Sequence, residues 1–543
     1  MKNKVDLKKI DEAIEPGKVM NCFMEWFDGD KKLAFFVALF VGIITHIQML
    51  TDIIFSQDGI WNSMSYFRPG VWEVSLGRWG LELVGRLNSF LAIPSLATIS
   101  CILCMAIGAL FVVDLFEIKN KVGIIFTSSA IVVAPTLLVT LLYVYTSFAY
   151  CFCFMISVIA VWLVYKCGTH PRLSLVCAAA LFMLSLSIYQ SYIGVTIALC
   201  IMKSIVDLTK GNKEVKEILI HILKTICVVV AGGILYYIVS MVLIKVNEID
   251  GLMYKAEGVS LVSIICGIPS GIIQSYKDFA AYFFRDRILS NTNFRREVLY
   301  LIMFIVLGIA LLIRFIKCEG KDKKDILIKR ILMVVLLLAL PIGLNFVNIL
   351  VAGNELYVLS AYQMILVIPF AIAVMEGGKV FNVGKWVFVV VLFGILATYF
   401  ITDMASYAAL KLTYNQAYST TVRILDRIEN TPGYEKDMPI AFIGIIGDNN
   451  YPRTNNIYNF TIGAMINNPV FHYSYSGMMG TWQNYLRIFF GIEIKIPTER
   501  EYTAIIDSHY FREEAEVFPS QKSVYVQDGF VVVKLDENPP VAF

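Results

Sequence analysis

Long apolar runs alternate with short polar segments through residues 33–403 of the chain. The runs are about 17–25 residues long, the length that an α-helix needs to cross the hydrocarbon core of a bilayer. We predict about eleven membrane-spanning helices on this basis. They lie at residues 33–50, 91–113, 122–142 and 147–165, twice within 173–206, and at 222–244, 298–316, 329–351, 356–375 and 386–403.

The run 173–206 is too long for one span, and its middle is interrupted by the polar segment Tyr189, Gln190, Ser191 and Tyr192. We therefore predict two short helices joined by a polar turn. Two longer segments separate other spans and are predicted as large outer loops, at residues 51–90 and 245–297.

The pattern changes after about residue 404. A helical segment is followed by a buried-strand pattern, PIAFIGIIG, and by VYVQDGFVVVKL, which is typical of a hairpin turning at Asp528 and Gly529. We predict a small α/β domain at residues 404–543. Tyr473, Tyr475 and Trp482 either pack this domain or stack on sugar rings.

The first outer loop contains an amphipathic stretch. Its apolar stripe and its charged stripe repeat at helical spacing, which favours one helix lying in the membrane surface. The apolar stripe comprises Trp72, Leu76, Trp79, Leu83 and Leu87, and the charged stripe comprises Arg78, Glu82 and Arg86.

Composition places the chain among integral membrane proteins. Of its 543 residues 57% are hydrophobic and 16% are charged, and the mean hydropathy is +0.68, which excludes a soluble domain. The net charge of +3 gives no reason to expect nucleic acid as a partner. Residues 1–32 are too polar for a signal peptide and are predicted to be a cytoplasmic tail.

Lysine and arginine alternate between the short loops and give an orientation. They are enriched in the N-terminal tail and in every second loop, which predicts a cytoplasmic N-terminus and an extracytoplasmic C-terminal domain. The basic loops contain Lys119 and Lys121, Lys166 and Arg172, Lys210, Lys213 and Lys216, Lys321 to Arg330, and Lys379 and Lys385.

Two predicted outer segments contain arginines, although basic residues are otherwise enriched on the cytoplasmic side. These side chains, Arg68, Arg78, Arg285 and Arg287, either extend to lipid headgroups or bind an anionic, lipid-linked substrate through bidentate contacts to phosphate. Sugar transfer also requires a base for the acceptor hydroxyl. Asp58 in the first outer loop is the leading candidate, and Asp52, at a span end, is the alternative.

These features resemble the GT-C glycosyltransferases and, more narrowly, the GtrII-type glucosyltransferases of bacterial surface polysaccharides. The resemblance rests on QDGIWNSMSYFRPGVWEVSLGRW, with Asp58 and the Gly77-Arg78-Trp79 triplet, on SIYQSYIG, and on the late NQAYSTTVRILDRIEN and PIAFIGI segments. Family members commonly have two adjacent acids in the first loop. Here Gln57 precedes Asp58, so one acid remains.

The resemblance implies a mechanism. A sugar, expected to be glucose, would move from a polyprenyl phosphate in the outer leaflet of the bacterial plasma membrane to a hydroxyl of a surface polysaccharide, with inversion. Asp58 would act as base, Arg78 with Arg68, Arg285 or Arg287 would hold the phosphate, and Tyr189 and Gln190 would line the sugar pocket. Trp79 and Asn345 are further sugar or acceptor candidates. No cofactor is predicted; a divalent metal stays open, although a single acid is a poor ligand set for one.

Two other classes of function remain open. A lipid-linked sugar or polysaccharide transporter would need ionisable groups at membrane depth, where His46, Asn345 and Asn348 are the main polar residues. A non-catalytic assembly protein would only bind surface glycan.

Overall fold

The computed structural model describes residues 15–62, 66–166, 170–211, 213–249, 261–285, 296–351, 356–376, 382–446 and 475–538. Arg287 and Tyr473 lie outside these ranges. The N-terminal part contains short helices separated by polar turns. These are α1 (Pro16–Trp26), α2 (Gly29–Thr45), α3 (Ile47–Thr51), α4 (Gln57–Asn62), α5 (Val71–Ser75) and α6 (Gly80–Gly85).

A helical bundle follows, as the apolar runs predict. Its helices are α7 (Pro94–Phe116), α8 (Lys121–Val133), α9 (Pro135–Leu142), α10 (Val144–Lys166), α11 (Pro171–Ile188), α12 (Ile193–Lys210), α13 (Val215–Val246), α14 (Leu261–Phe283), α15 (Arg296–Ile316), α16 (Lys323–Leu344), α17 (Val347–Leu350), α18 (Val367–Glu376) and α19 (Asn382–Glu429).

The bundle confirms a multi-pass membrane protein. In the described part of the chain, nine helical segments are long and apolar enough to cross a membrane, and the shorter segment Tyr362–Glu376 is also apolar. At the centre α7 packs against α2 and α10, while α13, α15 and α16 expose apolar side chains around the outside. In a membrane this apolar exterior is the surface that contacts lipid.

The predicted break within 173–206 is confirmed. Helix α11 ends at Ile188, Tyr189 adopts an extended backbone with φ −156°, and α12 begins at Ile193. The predicted loop 245–297 is more ordered than expected, because it contains α14. This helix packs against α17 and α16, and Asn348 Nδ2 donates to the buried Asp278 carboxylate at 2.8 Å.

Helix α19 joins the bundle to the C-terminal region. Its 48 residues correspond to a length of about 72 Å, more than twice the hydrocarbon thickness of a bilayer. The predicted domain boundary at residues 403 and 404 falls inside this helix. The last span and the first helix of the C-terminal domain are therefore one continuous rod.

The described residues of the C-terminal domain form a three-stranded sheet and two α-helices beyond α19. The strands are β1 (Ile440–Ile443), β2 (Val524–Gln527) and β3 (Phe530–Lys534), and the helices are α20 (Tyr475–Phe490) and α21 (Glu499–Asp507). The strand order is β1-β3-β2, with β1 parallel and β2 antiparallel to β3. The predicted hairpin is confirmed, since Asp528 and Gly529 both have positive φ, 50° and 81°.

Candidate active site

Helix α4 presents Asp58 from a segment that is fixed at several points. Ser56 caps the helix, because its Oγ accepts from the Gly59 amide at 3.0 Å, and the Ser56 amide donates to Leu142 O at 2.9 Å. The hydroxyl of Tyr414 in α19 contacts both the amide and the carbonyl of Phe55, at 3.1 and 2.9 Å. The chain entering α4 is therefore held against two bundle helices.

Asp58 lies in the first turn of α4, where backbone N–H groups favour a negative charge. Its side chain is half-buried. Among the described residues its carboxylate makes no hydrogen bond and no ion pair, so its oxygens remain available to a substrate hydroxyl.

Tyrosines face Asp58 from the start of α10 and from the segment before α18. Burial raises the pKa of Tyr143, and its hydrogen-bond partner Tyr357 and the Asp58 charge raise it further. Burial also raises the pKa of Tyr357, with the Asp58 charge acting in the same direction. Both phenols therefore stay protonated at neutral pH, and because one O–H is used in the bond between them, the pair offers one donor to a ligand.

Arg78 projects from a tight turn between α5 and α6. Gly77 has φ +70°, a conformation that favours glycine, and a Cβ there would overlap the Tyr236 hydroxyl. Gln190 fixes the turn, because its Nε2 donates to Leu76 O and to the Tyr236 hydroxyl, both at 2.9 Å. The position of Arg78 is thus set by contacts to α13 and to the break before α12.

The neighbours of the Arg78 guanidinium in the described part of the chain are aromatic, and none is an acid that pairs with it. Its Cζ lies 4.8 Å from the centre of the Tyr189 ring, which itself stacks on Tyr150 at 4.7 Å. Arg78 has no ion pair to a described residue, and its buried Nε has no hydrogen-bond partner there. A half-buried, unneutralised guanidinium of this kind favours a bound anion.

The two charged groups share one tyrosine. The Tyr145 phenol lies within electrostatic range of both the Asp58 carboxylate and the Arg78 guanidinium. Asp58 and Arg78 therefore both lie near Tyr145 at the start of α10. This arrangement offers a base, a cation for an anionic group, and aromatic faces on which a sugar ring can stack.

The prediction of a single surface helix in the first outer loop was wrong. The Gly77 turn separates α5 from α6, so the two predicted stripes do not lie on one helix. Trp72, Leu83 and Leu87 remain exposed, whereas Leu76 and Trp79 are buried. The same turn directs Arg78 toward Tyr189 and away from the charged stripe.

Trp79 is an anchor inside the protein. Only 8% of the residue is exposed, and its Nε1 donates to Ser240 in α13 at 3.0 Å. This environment favours a role in fixing the turn over direct contact with sugar. Gln190 is engaged in the same turn, while Tyr189 faces Arg78.

The other charged residues that were predicted as site candidates are either paired with an opposite charge or exposed to solvent. Arg68 is exposed and pairs with Glu82 at 3.2 Å, and Asp52 pairs with Lys411 at 3.0 Å. Both groups are already neutralised by a partner. Arg285 is exposed at the end of α14.

Three residues that were candidates for sugar contact are instead buried in packing interfaces. The Asn345 side chain is fully buried and donates to Ser275 O at 3.1 Å, which joins α16 to α14. Tyr475 and Trp482 are buried in the C-terminal domain, where Trp482 stacks on Phe442 at 4.0 Å.

A separate polar cluster is buried between α15 and α19. Arg296 donates to Thr398 and Thr402, at 3.3 and 2.8 Å, and Asp403, the residue after Thr402, is fully buried. These charges lie at the start of α15 and at the predicted end of the last span, residue 403, beyond which α19 continues.

Sequence reasoning missed the tyrosines that connect the site. They come from the turn before α10, from α10 and α13, and from the segment before α18, and are Tyr143, Tyr145, Tyr150, Tyr236 and Tyr357. The cluster YVYTSFAY at the start of α10 was a usable signal, since three tyrosines at one end of a span mark a polar boundary. Within the described ranges, no three His, Cys, Asp or Glu side chains gather as a metal site.

Comparison with known families gives one match. The family described as Glucosyl transferase GtrII matches residues 47–368, more than half of the chain. This range includes Asp58, Arg78 and Tyr189 and ends before α19 and the C-terminal domain. Comparisons with curated proteins and with solved structures gave no match. The chain belongs to the GtrII glucosyl transferase family.

Proposed function

We propose that this protein transfers glucose from a polyprenyl phosphate donor to a hydroxyl group of a cell-surface polysaccharide, with inversion at the anomeric carbon. Family membership supports sugar transfer. The observation that carries the finer proposal is that an available carboxylate, Asp58, and an unneutralised guanidinium, Arg78, both lie near Tyr145.

The proposed reaction uses both charges in one step. Asp58 accepts the proton of the acceptor hydroxyl while the acceptor oxygen forms a bond to the anomeric carbon. The bond from that carbon to the phosphate oxygen breaks, and polyprenyl phosphate leaves with the electron pair. Arg78 stabilises the negative charge that accumulates on the phosphate.

The tyrosines give the sugar a defined position. In this proposal the sugar lies beside Tyr189, whose ring contacts Arg78 and Tyr150, and the hydrogen-bonded pair of Tyr143 and Tyr357 donates one hydroxyl to an oxygen of the donor or acceptor. Gln190 and Trp79 act through the Gly77 turn, because their polar groups are bonded to Leu76 and Ser240. Asn345 and Arg68 have no direct part in the proposed transfer, because their polar groups are bonded to Ser275 and Glu82.

The site is proposed to face the outside of the cell. Helix α7 begins near the first loop and ends next to Glu117, where Lys166, Lys203 and Lys210 gather. Positive charge is enriched at the cytoplasmic side of membrane proteins, so the opposite end, which carries Asp58, is assigned to the exterior. The exposed Trp72, Leu83 and Leu87 then lie among lipid headgroups, where a lipid-linked donor arrives.

Reconstitution tests the proposal directly. The purified full chain in liposomes is incubated with synthetic polyprenyl phosphate glucose and a surface polysaccharide acceptor, and products are examined by mass spectrometry. We expect the acceptor to gain one hexose and polyprenyl phosphate to be released in equal amount. Movement of intact donor across the bilayer without hexose transfer would support a transporter, for which Arg296 and Asp403 supply the buried charges, and binding without turnover would support an assembly protein.

A further inference from the structure

The helix that carries Asp58 is too short to define its own orientation. Helix α4 has six residues, and isolated helices shorter than about 12 residues are marginal in water. A helix also leaves its last carbonyl groups without internal partners. Something outside α4 must therefore bind its C-terminal end if Asp58 is to point in one direction.

Asn484 in α20 is the residue that binds this end. Its Nδ2 donates to Ile60 O at 3.0 Å and to Trp61 O at 2.8 Å. The Asn484 side chain is buried, with 7% of the residue exposed. A single buried amide group thus satisfies two of the terminal carbonyls of α4 from the C-terminal domain.

The contact surface on α20 is shaped for α4. A Cβ at Gly480 would lie 3.0 Å from Trp61 Nε1, so a larger residue there would press on the indole. Gly480 and Asn484 are one helical turn apart and face the same partner. The two positions together form a docking face for the end of α4.

Helix α20 is itself fixed within the C-terminal domain. Trp482 is fully buried, stacks on Phe442 of β1 and donates through Nε1 to Gly444 O at 3.2 Å. The neighbouring Gln483 donates to Ile494 O at 3.2 Å, also within the domain. The sheet therefore gives Asn484 a rigid base from which to hold α4.

We propose that the C-terminal domain completes the active site, with Asn484 as a positioning residue that sets the direction of the Asp58 carboxylate through α4. The inference rests on the proposed role of Asp58 as base. The C-terminal domain lies outside the matched family region, residues 47–368. The inference makes this domain necessary for catalysis, whereas the other role considered for it is glycan binding.

The test compares two neighbouring amide-to-acid changes in the full chain. Asn484→Asp removes the donor to α4, and Gln483→Glu, the matched control, removes a donor that stays within the C-terminal domain. We expect Asn484→Asp to speed amide hydrogen exchange in a peptide covering residues 55–62 and to lower kcat about 10- to 100-fold, because small displacements of a reacting group are costly. The donor KM should change less than about twofold, because Arg78 is untouched. Gln483→Glu should leave exchange in that peptide and kcat unchanged.

The outcomes separate this inference from the proposed function. If Asp58→Asn abolishes transfer while Asn484→Asp keeps the wild-type kcat, the positioning role is wrong and the base assignment stands. If Asp58→Asn keeps transfer, the base assignment is wrong, and exchange in residues 55–62 still decides whether Asn484 holds α4. Asn484→Ala, which removes the donor without adding a charge, repeats the comparison if Asn484→Asp does not fold.

Discussion

Arg78 carries a positive charge that no described acid neutralises, in a half-buried position against the Tyr189 ring. Such a charge is costly to bury unless a ligand completes its environment. Asp58 is likewise unpaired, because its carboxylate has no hydrogen-bond or ion-pair partner among the described residues. Asp52 and Arg68, by contrast, are each paired with a residue of opposite charge.

We predict that a positive charge at position 78 is not sufficient for full donor binding and that the guanidinium group of Arg78 is required. Arg78→Lys keeps the charge but loses the planar group that stacks on Tyr189 and bonds two phosphate oxygens. We expect donor KM to rise about tenfold, equivalent to about 1.4 kcal/mol of binding. Steady-state kinetics with varied donor concentration measures this effect. Arg68→Lys is the control, and an equal rise in KM for both variants would contradict a specific phosphate contact at Arg78.

The Gly77 turn offers a second residue-level prediction. Gly77→Ala introduces strain at positive φ and a Cβ that overlaps the Tyr236 hydroxyl, so Arg78 should be displaced and donor KM raised about tenfold. Gly211 has the same φ of +70°, with open space where a Cβ would lie. Gly211→Ala therefore introduces the same backbone strain at positive φ but no steric overlap with a neighbour, and the donor KM should stay at the wild-type value. Loss of donor binding in both variants would show that strain, and not the turn contact, is responsible.

The sequence could predict some helix boundaries but not others, and this determined how much of the site it could identify. The break at Tyr189 was predictable, because polar residues interrupt an apolar run. The break at Gly77 was not, because the spacing of Trp72, Leu76 and Trp79 fits a helix and the turn is fixed by Gln190 and Tyr236 from distant segments. The site depends on this second break, so the sequence identified Arg78 without its surroundings.

At the other end of the bundle, an ion-pair network joins three helices. Glu117 at the end of α7 contacts Lys166 of α10 at 2.6 Å and Lys203 and Lys210 of α12 at 3.4 and 3.5 Å. Burial by itself would raise the pKa of Glu117, but the hydrogen bond from Lys166 and the lysine charges lower it to about 2. The charged carboxylate is therefore the form that stabilises the folded protein.

This network predicts a pH-dependent loss of stability in Glu117→Gln. The pKa of Glu117 is lower in the folded protein than its ordinary value of 4.5, so its contribution is complete above that pH and disappears as the pH falls toward 2. We expect the variant to lose about 1 kcal/mol at neutral pH, a small value because the carboxylate is partly exposed to solvent. Thermal unfolding in detergent at pH 7 and at pH 3 should show a smaller difference from wild type at the lower pH. An unchanged difference would rule out this role for Glu117.

On the scale of the whole molecule, the two ends of the bundle have opposite characters. One end carries Asp58, Arg78 and the docked C-terminal domain, and the other carries the lysine network around Glu117. The apolar runs and the alternating lysines were enough to predict this polarity and the multi-pass architecture. The docking of α20 on α4 could not be predicted, because it depends on two carbonyl groups that carry no sequence information.

The proposed orientation can be tested by chemical labelling of intact cells. Asn430, exposed just beyond the end of α19, should be extracytoplasmic, and Cys22 and Cys318 should be cytoplasmic. We expect a membrane-impermeant maleimide to label Asn430→Cys in intact cells and to reach Cys22 and Cys318 only after permeabilisation, as measured by peptide-resolved mass spectrometry. The reverse pattern would place Asp58 inside the cell and exclude an outer-leaflet donor.

Turnover of Asp58→Asn, compared with that of Asp52→Asn, tests whether the Asp58 carboxylate takes the proton of the acceptor. Both variants replace an acid by its amide in the same segment, but Asp52 is already paired with Lys411. Since general-base catalysis contributes about 10²- to 10⁴-fold, we predict that Asp58→Asn loses at least about 100-fold in kcat and that Asp52→Asn stays within about tenfold of wild type. A folded Asp58→Asn protein that transfers hexose at the wild-type rate would contradict the account.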